Sequence, residues 1–151
     1  MEAKDAIEKA SADIQIKELQ GYFLCSCFAC LKTLKEDVKE WTLLYFNPTT
    51  NKVLDCFVND VVTIGEETPP IKEVKKPDFN EVSIGVGEAL DEVSKSFNKP
   101  TINVLITLHR KESMVWSITT IGMDFNATTF DIDAKTGKII HEETTSLIRL
   151  V

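Results

Sequence analysis

Small and apolar residues recur every three to four positions in two stretches of the sequence, which is the spacing of one face of an α-helix. The first stretch covers residues 3–17, and its apolar positions are Ala3, Ile7, Ala10 and Ile14. The second runs from Gly87 to Phe97, and its apolar positions are Ala89, Leu90, Val93 and Phe97. Each stretch is predicted to form a short amphipathic helix, and Asn98 and Pro100 end the second one.

The stretch from Leu19 to Trp41 is compatible with two structures. Several of its apolar residues have helical spacing, but after Gly21 aromatic residues and cysteines follow a period of two. This composition favours a strand from Phe23 to Leu31. One face of such a strand carries Phe23, Cys25, Cys27, Ala29 and Leu31. The other face carries Tyr22, Leu24, Ser26, Phe28 and Cys30.

Both faces of this strand are apolar, although a sheet packed on one helix needs only one apolar face. Exposed to water, Tyr22, Leu24 and Phe28 would form a contiguous apolar patch, which soluble monomers avoid. We therefore expect these three residues to form a covered interaction face. Either a second sheet of the same chain or a second copy in a homodimer would cover it, and the homodimer is the favoured interpretation.

The other apolar runs predict antiparallel β-structure. Residues 41–46 and 52–58 flank turn residues and predict a hairpin, and residues 61–65 predict a further edge segment. Residues 66–78 hold three of the five prolines and predict a semi-rigid linker. Beyond the second helix, four strands are predicted at residues 102–108, 114–121, 128–133 and 138–146.

The two halves of the chain have a similar order of elements, each a helix followed by strands and a closing hairpin. Residues 47–54 also resemble residues 133–140, where Asn51 and Gly137 occupy equivalent turn positions that tolerate a positive φ. The sequence therefore predicts an α+β fold of two helix-plus-antiparallel-sheet modules, PepSY-like or cystatin-like, related by internal duplication. The predicted division is a first module at 1–65, a linker at 66–78 and a second module at 79–151.

The segment from Thr129 to Ile140 resembles the closing hairpin of PepSY domains, whose last turn reads Asp-Ala-x-Thr-Gly. Residues 79–146 follow the order of elements in that family, whereas the first half matches it more loosely. PepSY modules occur in propeptides of thermolysin-like metalloproteases, where they are thought to inhibit the protease or assist its folding. The resemblance implies a non-enzymatic module that binds a protein or peptide, with no catalytic residues to carry over.

The charge balance excludes several functions. The chain has 17 basic and 24 acidic residues, a net charge of −7, and no basic block, so we expect no nucleic-acid partner. The longest uncharged run, Gln20 to Leu31, is too short to span a bilayer. The first residues are polar and acidic and lack the apolar core of a signal peptide. These observations predict a cytoplasmic protein without a membrane partner.

The four cysteines allow three interpretations: structural residues, a metal site and redox sensors. The spacing of Cys25, Cys27 and Cys30 is typical of a metal site, but the surrounding residues are apolar and no Gly or Pro forms a chelating turn. On a strand, Cys30 would face away from the other two. We expect the cysteines, including Cys56, to be reduced, metal-free structural residues.

No motif for catalysis or for a cofactor is recognisable. The chain lacks HExxH, GxSxG, a phosphate-binding loop and a complete GxGxxG. His109 is predicted to lie in a solvated turn, and His141 is expected to face Asp131 across a hairpin. Four nearby carboxylates fit a solvated acidic face better than a weak cation site; they are Asp131, Asp133, Glu142 and Glu143.

We therefore expect no catalytic residue, no metal and no cofactor. The favoured function is a non-enzymatic interaction module that binds a protein or peptide partner, with modulation of a peptidase as one form of this function. The alternative is a small-ligand binding or sensing protein with a pocket between helix and sheet.

Overall fold

A computed structural model of the protein describes residues 1–70 and 73–148. Within these ranges it has three α-helices and eight β-strands. The helices are α1 (Ala3–Ala12), α2 (Ile14–Lys17) and α3 (Val86–Ser96), and a 3-10 turn covers Phe79–Glu81. The strands are β1 (Phe23–Leu31), β2 (Trp41–Asn47), β3 (Lys52–Val58), β4 (Val62–Thr68), β5 (Thr101–Arg110), β6 (Met114–Gly122), β7 (Asn126–Asp133) and β8 (Ile139–Ser146).

All eight strands form one antiparallel sheet in the order β4-β3-β2-β1-β5-β6-β7-β8. The centre is the pair β1–β5, in register from Cys27 opposite Leu108 to Leu31 opposite Val104. The predicted α+β fold of two helix-plus-sheet modules is wrong, because the strands of both halves share one continuous ladder and the fold is dominated by the sheet. Pairing β1 with β5 satisfies the backbone groups that each half would otherwise leave unpaired at an edge.

The helices pack on one face of this sheet, which we call the helix face. α1 contacts β2 and β3, and α3 contacts β6. One apolar cluster spans both halves, and its largest fully buried side chains include Trp41, Trp116 and Phe130. The two indole rings lie 6.0 Å apart, and their N–H groups donate to the backbone carbonyls of Met1 and Ile84.

The N-terminal residues also tie the two helices together. The Glu2 side chain is part of a capping box at the start of α1. The same carboxylate accepts a 2.7 Å hydrogen bond from the backbone N–H of Val86, the first residue of α3. A carboxylate at a helix N-terminus is favoured by the unpaired N–H groups and by the helix dipole.

The predicted strand from Phe23 to Leu31 is confirmed, but it contains a bulge. Leu24 is opposite Tyr45, and Ser26 is opposite Leu44, so Cys25 is an extra residue in β1. A bulge reverses the faces of the residues that precede it. Leu24 therefore lies on the helix face, while Phe23 lies on the opposite face, where its ring contacts that of Phe46.

Strand β4 extends three residues into the stretch predicted as a linker, ending at Thr68. The following chain crosses the face of the sheet opposite the helices, which we call the outer face. The described residues of this crossing segment are Pro69, Pro70, Glu73, Val74, Lys75 and Lys76. The Lys76 ammonium lies 5.6 Å from the ring centroid of Phe23 on β1.

Candidate functional site

A cavity of about 440 Å³ lies between the outer face and the crossing segment. Its floor is formed by side chains from the four strands β3, β2, β1 and β5. The apolar part of the floor consists of Cys25, Phe28, Leu44 and Val53. The volume lies in the range of about 300–1,000 Å³ that is usual for small-molecule sites.

One end of the cavity, at β3, carries a carboxylate. Asp55 is opposite Leu44 in the sheet and so points to the outer face. Burial raises the pKa of Asp55 above its ordinary value of 3.8. Within residues 1–70 and 73–148 this side chain has no hydrogen-bond or ion-pair partner. The β3 end therefore offers an acceptor to a ligand.

The other end of the cavity, at β5, carries hydrogen-bonding groups. Thr107 and His109 line it from the strand, and Lys75 lines the cavity from the crossing segment. Arg110 is three-quarters buried, and its guanidinium forms a 3.2 Å ion pair with Glu81. Arg110 is opposite Met114, which belongs to the helix-face core, so its side chain points to the helix face and away from the cavity.

A chain of hydrogen bonds leads away from the β5 end over the outer face. Ser117 donates to Asp131 at 2.6 Å, and Lys111 donates to the second oxygen of Asp131 at 2.8 Å. Burial alone would raise the pKa of Asp131, but the hydrogen bonds from Lys111 and Ser117 and the electrostatic attraction of Lys111 and His109 outweigh it and lower this pKa. The His109 Nε2 atom lies 2.8 Å from the Ser117 oxygen. Because the serine proton is directed to an ionised carboxylate, Nε2 carries the proton in that contact.

The hydrogen bonds among His109, Ser117 and Asp131 differ from those of a catalytic nucleophile–base pair. In a Ser–His pair, the histidine accepts the serine proton and thereby activates the oxygen. Here Ser117 directs its proton to Asp131, and His109 acts as the donor. The arrangement fixes the His109 ring at the wall of the cavity, and it provides no activated nucleophile.

The prediction that His109 lies in a solvated turn is wrong. His109 belongs to β5 and is only 9% exposed, because the strand continues to Arg110 and the crossing segment covers this part of the outer face. The sequence did contain an indication that His109 belongs to the strand. A turn of three residues between Arg110 and Met114 is sufficient for a hairpin, which allows His109 to remain in the strand.

The residues of the predicted interaction face lie in two places. Phe28 is on the outer face in the cavity, between Thr42 and Thr107. Tyr22 and Leu24 pack against the helix-side core, and the Tyr22 hydroxyl donates to Glu67. The bulge at Cys25 separates them, so the three do not form one contiguous patch. A homodimer through the outer face stays a prediction.

All four cysteines are free; Cys30 is exposed and the other three are buried. Burial raises the pKa of Cys25 and of Cys56 to about 11, and it raises that of Cys27 further. Among the described residues, no three His, Cys, Asp or Glu side chains lie close enough to share a metal ion.

The four carboxylates near the last hairpin do not form one solvated group. Asp131 is buried by its contacts with Lys111 and Ser117. Asp133 accepts backbone hydrogen bonds from Lys135 and Thr136 in the turn, and these bonds lower its pKa. The expected cross-strand position of His141 opposite Asp131 is confirmed.

In the part of the chain that the structure describes, no helix is long and apolar enough to cross a membrane. No known family profile and no curated protein sequence matches the chain, so the resemblance to PepSY domains stays a prediction. Among solved structures, the chain is similar to a putative lipoprotein of Clostridium difficile 630. The two are 14% identical, with a TM-score of 0.61 over 96% of this chain and 93% of the other. At this identity the likeness shows a shared fold.

Proposed function

We propose that this protein is a non-enzymatic binding protein whose ligand occupies the outer-face cavity. The observation that carries the proposal is the cavity itself, which combines an apolar floor with polar groups at two ends. A site of this kind is the usual form of a small-ligand pocket. It differs in place from the expected pocket between helix and sheet, because the crossing segment, and not a helix, forms its cover.

The direction of hydrogen bonding supports a non-enzymatic role. Ser117 and His109 are the pair within the cavity region that most resembles a catalytic arrangement, and Ser117 directs its proton to Asp131. The expected peptide partner remains compatible with the site, since a short peptide segment is small enough to enter it. Modulation of a peptidase remains a prediction that this binding function would allow.

A cytoplasmic location is part of the same proposal. It is supported by the four cysteines, which are all free, because a reducing compartment keeps thiols unpaired. The alternative is the location of a lipoprotein, because a putative lipoprotein has a similar fold. Fractionation of the source cells, with detection of the native chain, decides between the two.

The test of binding uses decanoate, an amphipathic probe, titrated into the isotopically labelled protein and followed by methyl NMR. We expect shifts at Leu44 and Val53 on the cavity floor and stabilisation that rises with ligand concentration. Thr107→Trp places a large side chain in the cavity and should abolish both effects. Thr63→Trp is the matched control, because Thr63 is exposed on the outer face of β4 and does not line the cavity. Equal binding to both variants, or no binding to the wild type, contradicts the proposal.

A further inference from the structure

The last strand of the sheet, β8, has a neighbouring strand on one side only. From His141 to Ser146 it pairs with β7 in an unbroken antiparallel register, so this stretch of backbone is regularly extended. Within the part of the chain that the structure describes, no other backbone group bonds to the free side of this stretch. A regular strand with an unpaired edge is a template for the addition of another strand.

The opposite edge of the sheet, at β4, is less suited to strand addition. The pairing of β4 with β3 is regular from Val62 to Ile64, and a bulge then separates Ile64 from Glu67. Bulges interrupt the ladder and twist the strand, which is one way in which proteins protect an edge. Of the two edges, β8 therefore offers the longer regular stretch.

Two consecutive glutamates lie on the regular stretch of β8. Glu142 is opposite Phe130 of the helix-side core and Glu143 is opposite Thr129, so the two carboxylates lie on opposite faces of the sheet. Both side chains are exposed. Glu143 lies 3.5 Å from the ring of His141, and no cation among the described residues forms an ion pair with Glu142. A basic residue on an added strand would supply a partner for each carboxylate, and such directly opposed charges stabilise strand pairing.

The same charges decide against a second copy of this chain as the added strand. A pair of β8 strands from two copies would bring four glutamates together. The free edge of β4 is no better suited, because it carries Glu66 and Glu67. Either pairing concentrates acidic side chains without a counter-charge, which is destabilising across neighbouring strands. The glutamates of β8 thus disfavour the edges of this chain and favour a basic strand.

We propose that β8 is a docking edge for an extended basic segment of another protein. The segment adds to the sheet as a further antiparallel strand and places two consecutive basic residues opposite Glu142 and Glu143. Main-chain hydrogen bonds provide the attachment, and the two ion pairs provide the specificity. This surface is separate from the ligand site proposed above, because β6 and β7 lie between β8 and the nearest strand of the cavity floor, β5.

The probe is the peptide Val-Thr-Val-Lys-Lys-Thr, acetylated and amidated at its ends. Its lysines fall opposite the glutamates when it pairs antiparallel with residues 141–146. Binding to the isotopically labelled protein is followed by NMR of the backbone amides. We expect shifts and slowed hydrogen exchange at alternate residues of β8, whose N–H groups point to the free side. The peptide with Glu in place of both lysines should bind about ten-fold more weakly. Equal binding of the two peptides, or no shifts in β8, overturns the proposal.

Variants of the protein test the two ion pairs. Glu142→Gln combined with Glu143→Gln should weaken binding of the lysine peptide about five-fold, because both attractions are lost. Glu66→Gln combined with Glu67→Gln is the matched control, since it makes the same change of charge on the other edge strand and should leave the affinity unchanged. Glu142→Lys combined with Glu143→Lys should reverse the preference between the two peptides. An equal loss in the control, or an unreversed preference, overturns the proposal.

Backbone methylation of the peptide distinguishes strand addition from attraction between charges alone. An added strand bonds to β8 through the N–H groups of alternate residues only. One peptide is therefore methylated on its second and fourth backbone nitrogens and another on its third and fifth. We expect one of the two to lose binding and the other to retain it, and equal behaviour of the two overturns the proposal. If the β8 amides shift with the concentration of the protein itself and not with the peptide, the occupant is a second copy and the proposal is wrong.

Discussion

Among the described residues, Asp131 is a buried carboxylate. Its side chain is 6% exposed, and its two oxygens accept from Lys111 and from Ser117. A carboxylate can be buried at low cost only when its oxygens accept hydrogen bonds and its charge is paired with an opposite charge. This compensation lowers the pKa of Asp131 below 3.8 despite the opposing effect of burial.

Lys111→Met should therefore destabilise the protein by about 1–2 kcal/mol near neutral pH, because solvent screening at the half-exposed ammonium limits the effect. A carboxyl group with a lowered folded-state pKa contributes stability above its unfolded value, and that stability is lost as the pH falls through the folded value. The difference between wild type and variant should narrow below about pH 3.8.

Urea unfolding at neutral and acidic pH measures this difference. Lys135→Met serves as the control, since Lys135 is exposed and its side chain makes no ion pair with any described residue. A difference that is absent at neutral pH, or that does not change with pH, contradicts the role assigned to Lys111.

At the scale of the elements, two hairpin turns each contain a residue with a positive φ, in the left-handed backbone conformation. Asn51 has a φ of 53° in the turn between β2 and β3, and Gly137 has a φ of 78° in the turn between β7 and β8. Asn47 and Asp133 accept backbone N–H bonds at the start of these turns. The similarity of the two sequence segments thus reflects the same turn chemistry at both positions.

Gly137→Ala should cost about 1–2 kcal/mol, because an alanine in the left-handed region is strained. A Cβ there would lie 3.6 Å from Ile84, an ordinary contact, so the cost comes from the backbone. Gly87→Ala is the matched control: nothing lies within 4 Å of its added Cβ, and the residue is in α3. It should stabilise the protein by up to about 1 kcal/mol. Thermal unfolding compares the two, and similar effects would contradict the backbone argument.

At the scale of the whole molecule, the sheet is continuous, and the Glu2 side chain caps the N-termini of both α1 and α3. The β1–β5 ladder and the cluster around Trp41 and Trp116 join the two halves of the chain. Such extensive contacts favour a single cooperative unfolding unit. The number of unfolding transitions therefore tests the predicted division into a first module at 1–65, a linker at 66–78 and a second module at 79–151.

We expect one unfolding transition, with coincident midpoints by far-ultraviolet circular dichroism and by tryptophan fluorescence. Amide hydrogen exchange should be slowest in β1 and β5 and faster in the edge strands β4 and β8, which are paired on one side only. Two transitions, with one half of the chain protected after the other has exchanged, would instead show that the predicted modules are independent units.

Local patterns in the sequence determined most of the elements. The period-two alternation from Phe23 to Leu31 and the turn residues at Asn47 and Asp133 depend on neighbours a few positions away. For this reason the strand, both hairpins and the helices were predictable to within a few residues. The cross-strand position of His141 opposite Asp131 also followed, because a tight turn sets the register of the strands that it joins.

The tertiary structure decided how these elements combine. The pairing of β1 with β5 joins residues about 75 positions apart in the chain, and no local pattern encodes which edges meet. The bulge at Cys25 divides Leu24 from Phe28, since one extra residue reverses a strand's faces. The cavity at Asp55 and His109 exists only because the chain after β4 crosses the outer face, and a path of this kind is set by long-range packing and not by local propensity.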